Sequence, residues 1–145
     1  MFRKIPVEVI TVLLIFLFAY TAISKMADSN TFGKQLYNQP LPHWFTGHLV
    51  WLIPLIELIT AGLLVISSTR LYGLLFSVIL MSVFTVYVGL IYFGVFSKIP
   101  CSCGGVIASM SWTGHLIFNI IFLLLAIVGL AKLRQGKSIH DHQVR

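Results

Sequence analysis

The chain has 145 residues, 58% hydrophobic and 10% charged, with a formal net charge of +6 and a mean hydropathy of +0.96. This length fits one domain, and a soluble domain of this size needs far more polar surface, so the expected fold is an all-α integral membrane four-helix bundle. The basic residues sit at chain ends and between apolar runs, without a basic face or aromatic platform. That excludes a nucleic-acid binder and favours topology signals and contacts with membrane lipid.

Four apolar runs, at about residues 5–24, 49–66, 71–96 and 112–130, are the predicted spans. A span needs about 20 apolar residues, and tilt absorbs the excess of the third run. All are far too long for barrel strands. Arg3-Lys4 before the first run resembles a signal peptide. The run is longer than a signal h-region and ends without a convincing small-residue cleavage site, so a retained first helix is expected. Loop one, residues 25–48, is long and polar and carries Pro40-Leu41-Pro42. Loop two, 67–70, is a tight turn, and loop three, 97–111, carries both cysteines. The domain is expected over 1–132, with 133–145 a basic tail that frays.

An even number of spans puts both termini and loop two on one side. That side holds Arg3, Lys4, Arg70, Lys132, Arg134, Lys137 and Arg145, and the other holds Lys25, Lys34 and Lys98. The positive-inside rule then predicts cytoplasmic termini and loops one and three facing out, as in a bacterial inner membrane.

Cys101 and Cys103 are the only cysteines, within Ile-Pro-Cys-Ser-Cys-Gly-Gly. The outer face of a bacterium is oxidising, so a disulfide is permitted there. A bridge across one residue closes almost no loop and staples little. Its geometry is cramped, and strained exposed disulfides are the easily reduced ones, which favours thiol–disulfide exchange. Pro100 stiffens the approach, and Gly104-Gly105 leaves room for a partner. Two other readings stand beside this one: inert loop cysteines, and a soft-metal site formed with His115, with His43 and His48 predicted on the same side.

Trp112, His115, Asn119 and Phe122 fall on one face of the fourth helix. His115 and Asn119 belong away from lipid, either in interhelical hydrogen bonds or in a pocket for a quinone headgroup with His115 as proton relay or donor. Glu57, three residues after Pro54, lies halfway through the second span. An ionisable group at that depth either serves function or locks the bundle through a partner such as Asn119 or Lys25. Glu8 lies in the first turn of the first helix, where the helix dipole favours it.

Several of these residues form a larger pattern. The first helix ends in Phe18-Ala19-Tyr20-Thr21-Ala22-Ile23-Ser24-Lys25-Met26-Ala27-Asp28, followed by Phe32, Leu36, Pro40 and Pro42. The second carries Pro54, Glu57-Leu58 and Gly62; then come Cys101, Cys103 and Gly105, and Trp112, His115 and Asn119. Together these resemble the MauE branch of the MauE/DoxX membrane family over nearly the whole chain except the tail. The resemblance implies a four-helix membrane bundle loosely similar to the vitamin K epoxide reductase core. It implies a redox-associated role, with Cys101 and Cys103 as the matching pair and a thioredoxin-like exported protein as partner; MauE itself is associated with disulfide maturation of periplasmic methylamine dehydrogenase. One departure matters: vitamin K epoxide reductases use two cysteine pairs and this chain has one. Either the pair meets quinone itself or a second pair sits on another protein.

The expected function is therefore a membrane thiol–disulfide oxidoreductase component, with Cys101 and Cys103 as the reacting pair. His115, Asn119, Glu57 and Trp112 are the expected quinone contacts. The alternatives are a non-enzymatic assembly subunit and a soft-metal-handling membrane protein.

Overall fold

The structure, a computed structural model, describes residues 6–39, 41–95 and 111–143, with side chains to residue 136. Its described residues form five helices and no strand: α1 (Val7–Ala27), α2 (Ser29–Tyr37), α3 (His43–Val65), α4 (Arg70–Tyr92) and α5 (Trp112–Gln143). The four long helices are apolar enough to cross a membrane. The 23 residues of α3 and of α4 each extend about 35 Å, against a hydrocarbon layer of about 30 Å. The chain is a multi-pass membrane protein.

The long helices form a closed ring in the order α1, α3, α4, α5, with the α4–α5 and α1–α3 contacts the most extensive and α2 leaning on α3. Inside the ring, Ile10, Leu14, Phe18, Ala61, Leu64, Leu74, Met81 and Ala126 form one buried cluster. Outside it, Phe16, Ile59, Phe76, Val83, Ile121 and Leu124 are exposed, as lipid-facing side chains are in a bundle whose exterior solvent is hydrocarbon.

Two glycines set the packing at one level. A Cβ on Gly73 would lie 2.8 Å from the Leu64 backbone nitrogen and 2.9 Å from the Leu63 carbonyl carbon. A Cβ on Gly129 would lie 3.0 Å from Cγ2 of Ile10 and 3.2 Å from Cδ2 of Leu74. The tight α3–α4 turn satisfies the carbonyls that end α3: the Thr69 hydroxyl donates to Leu63 O at 3.0 Å and Arg70 Nε to Leu64 O at 3.4 Å.

Four features differ from the sequence expectation. Loop one is not all loop. Asp28 ends α1 and caps α2, its side chain accepting from the Thr31 N–H at 3.2 Å, and Phe32 and Leu36 bury one face of that short helix. The spanning helix after it starts at His43, because Pro42 at its N-cap fixes an extended entry (φ −59°, ψ 128°). Tail residues expected to fray continue α5 to Gln143, since Ala131, Lys132, Leu133, Arg134 and Gln135 are strong helix formers. At the other end of loop three, α4 stops at Tyr92. Gly94 takes φ 69°, and the Val95 N–H donates to Leu90 O and the Gly94 N–H to Ile91 O, both at 3.0 Å. That pairing closes a helix end and needs a residue tolerant of positive φ.

Candidate functional site

Most polar side chains inside the spans are satisfied within their own helix. The hydroxyls of Thr11, Thr60, Ser77, Ser82 and Thr85 donate to carbonyls four residues earlier, at 2.6–2.8 Å. Such back-bonding removes the cost of a hydroxyl in hydrocarbon and leaves nothing for function to explain. Lys25, Glu57, His115 and Asn119 remain, and the bundle brings them into the half that carries α2.

Lys25 and Glu57 form a buried ion pair. The Lys25 Nζ lies 2.6 Å from Glu57 Oε1, with side-chain exposures of 13% and 2%. Lys25 stands in the last turn of α1 and joins it to α3. Its ammonium also lies 5.8 Å from the Phe32 ring of α2 and 5.7 Å from the Phe84 ring of α4, distances at which a ring's quadrupole attracts a cation. One ammonium on α1 thus meets groups from α2, α3 and α4. The Thr21 hydroxyl faces the Glu57 carboxylate, while donating to the Phe18 carbonyl at 3.2 Å.

Depth follows from the glycine level. Gly129 and Leu74 pack together there. Asn119 and Phe84 are each ten residues from it toward the α2 end, about 15 Å along α5 and α4. Asn119 therefore shares the level of the ring on which the Lys25 ammonium rests.

The cluster is incompletely paired. Glu57 Oε2 and Asn119 Nδ2 are buried without a hydrogen-bond partner among the described residues. Each unpaired buried group costs about 1–3 kcal/mol, and proteins rarely leave one without a water, an ion or a ligand to meet it. The first is an acceptor and the second a donor. The amide of Gln39, at the α2–α3 junction, is also buried and unpaired.

His115 is buried, and its ring stacks on that of half-buried Trp112, with centroids 6.4 Å apart and planes at 15°. Both sit in the first turn of α5, opened by Ser111, whose hydroxyl accepts from the Gly114 N–H at 3.2 Å. Phe122 packs against the core cluster. Of the two partners anticipated for Glu57, it is Lys25 that holds it. His43 stacks on Tyr37 with centroids 4.1 Å apart, and His48 Nδ1 lies 3.1 Å from Trp44 O; neither joins the ion-pair cluster. Cys101 and Cys103 lie outside the described residues. The described ends of their segment, Val95 and Ser111, both stand at the α2 end of the bundle.

The sequence offered Lys25 as one of two partners for Glu57 while also counting it as a topology charge, and it gave Phe32 and Phe84 no part in the site. One signal was available: a lysine in the last turn of one span and a glutamate within the next. In antiparallel neighbours these are within reach of each other at the cost of one long side chain.

The fold and the cluster define a four-span helical membrane protein with a buried, partly unpaired polar site in one half of its bundle. The family model described as methylamine utilisation protein MauE matches residues 3–132, so the chain belongs to the MauE family. No curated protein and no solved structure matches it.

Proposed function

We propose that this chain is an inner-membrane thiol–disulfide redox component, in which Cys101 and Cys103 cycle between dithiol and disulfide. The observation that carries the reading is the situation of the pair. The only two cysteines of a MauE-family chain belong to the segment joining α4 to α5, whose described ends stand at the end of the bundle nearer the buried polar cluster.

The pair exchanges electrons with a thioredoxin-like exported protein by thiolate attack through a mixed disulfide. The lysine and arginine distribution favours an outward-facing loop three, where such a protein meets it. Oxidising a dithiol to a disulfide releases two electrons and two protons. A membrane quinone takes up the same number on becoming a hydroquinone, so the two half-reactions balance without a third reactant, in either direction. The unpaired Glu57 Oε2 and Asn119 Nδ2 suit a ligand that carries carbonyl and hydroxyl oxygens. His115 stands about one turn and Trp112 about two turns nearer the helix end than Asn119.

The test is replacement of both cysteines by serine, followed by trapping the thiol state of the exported thioredoxin-like partner in cells. A shift in that partner's redox state supports the reading. An unchanged partner, with only the abundance of a membrane complex altered, favours a non-enzymatic assembly subunit. Stoichiometric soft metal retained by purified protein, and lost in the serine variant, favours metal handling.

A further inference from the structure

We propose that the end of the bundle carrying the α3–α4 turn binds the headgroup of an anionic phospholipid, held between Arg70 of α4 and Arg134 of α5. The inference is independent of the thiol reading and concerns the end of the bundle opposite the cysteine segment.

The register of α4 against α5 brings these residues together. A Cβ on Gly129 would lie 3.2 Å from Cδ2 of Leu74, and one on Gly89 would lie 4.0 Å from Cδ1 of Leu116. The two contacts advance in opposite senses along the helices, so α4 and α5 are antiparallel and closely packed. One turn beyond Leu74, Arg70 stands level with Leu133, the residue one turn beyond Gly129. Lys132 and Arg134 flank Leu133 on α5. Packed helices have axes about 8–10 Å apart, a gap that two arginine side chains bridge around one phosphate. Arg70 is half-buried, and its Nε donates to Leu64 O at 3.4 Å, which fixes the base of the guanidinium at the end of α3. Arg134 is exposed.

Depth identifies the ligand. Tyr72 and Tyr92 are 59% and 46% exposed and stand about 30 Å apart along α4, the thickness of the hydrocarbon layer. Exposed tyrosines collect at the two membrane–water interfaces, so this pair marks both boundaries on one helix. Between them Phe76, Ile79, Val83 and Val86 form an exposed apolar stripe, a bed for acyl chains. Arg70 lies about 3 Å beyond Tyr72, at headgroup level, where lipid phosphates are concentrated. The charge there is of one sign. Among acids with described side chains, only Glu8 belongs to this end. It is two residues from Ile10, which meets Gly129, and so sits about 200° round α1, on the side away from α5. Asp141 is about 10 Å further along α5 than Arg134. A phosphodiester with net negative charge gains about fivefold in affinity from each such arginine near a membrane surface. A zwitterionic headgroup brings its own cation and gains little.

The experiment uses the full chain in mild detergent, offered equal amounts of phosphatidylglycerol and phosphatidylcholine. Native mass spectrometry counts the lipid retained on the protein. The parent should retain phosphatidylglycerol over phosphatidylcholine by about tenfold or more, the product of two arginine contributions. Arg70→Gln/Arg134→Gln should bring the ratio close to one. Arg134→Gln alone leaves the Arg70–Leu64 contact in place and should lower the ratio severalfold. Lys34→Gln removes one positive charge from an exposed position of α2, at the other end of the bundle, and should leave the ratio unchanged. Helical content is recorded for each variant.

A parent without preference overturns the proposal. So does a folded Arg134→Gln chain that keeps the parent's ratio, or a Lys34→Gln chain that loses as much as Arg134→Gln. Excess glycerol 3-phosphate, a phosphate without acyl chains, should leave the ratio unchanged; displacement of phosphatidylglycerol by it would assign the site to a soluble phosphate instead.

Discussion

Removing either half of the Lys25–Glu57 pair should have unequal costs. Lys25→Met keeps most of the stem and deletes the ammonium. It leaves a carboxylate with 2% side-chain exposure facing Phe-lined hydrocarbon, and breaking a buried pair in this way costs about 3–5 kcal/mol. Glu57→Gln leaves an ammonium that is 13% exposed on a flexible stem in the last turn of α1. That group can swing toward the interface while keeping its aromatic neighbours, so the loss should be about 1–3 kcal/mol. In Lys25→Met/Glu57→Gln no charge is stranded, and the double variant should be more stable than Lys25→Met alone by about 2 kcal/mol. The assay is equilibrium unfolding of purified protein in mixed micelles with increasing SDS, followed by tryptophan fluorescence and far-ultraviolet circular dichroism. The order of the three variants is the prediction. A Lys25→Met chain within about 0.5 kcal/mol of the parent, the range of ordinary surface changes, would refute the reasoning. So would single costs that simply add in the double variant.

Other expectations are separable. Gly73→Ala should destabilise by about 1–2 kcal/mol, because its methyl meets the α3 backbone and overpacking outweighs the helix-propensity gain. Gly62→Ala meets nothing within 4 Å and should be neutral or slightly stabilising in the same unfolding assay. Asp28→Ala removes the cap of α2 and should cost about 1 kcal/mol locally, seen as faster hydrogen exchange confined to residues 29–37. A C-terminal reporter that fluoresces only in the cytoplasm should be bright, and one inserted in loop three dark; the reverse would overturn the orientation.

The long apolar helices were legible because span length and hydropathy are properties of contiguous sequence. The α2 helix was not: with nine residues it is too short to register as a span, and its evidence is one cap and two buried side chains, Phe32 and Leu36. The start of α3 was hidden because His43, Trp44, Thr46 and His48 read as loop residues, although Pro42 fixes the entry. Asn119, His115 and Glu57 stood out by their cost in an apolar run, which is a local property. Lys25 was legible only as one of two possible partners of Glu57, because a lysine near the end of a span ordinarily snorkels to water, and the α1–α3 packing is what turns it inward. The aromatic neighbours were equally invisible: Phe32 and Phe84 acquire meaning only once the ammonium stands 5.8 and 5.7 Å from their ring centres.

The most direct test of the central claim is the in-cell thiol state of Cys101 and Cys103. Cells are quenched with acid, alkylated with a mass-tagged maleimide and resolved on a gel, with respiration running and then blocked. The account predicts a pair whose state depends on respiration, for example mostly oxidised in respiring cells and reduced when the quinone pool can no longer accept electrons. A pair locked in one state under both conditions would contradict it.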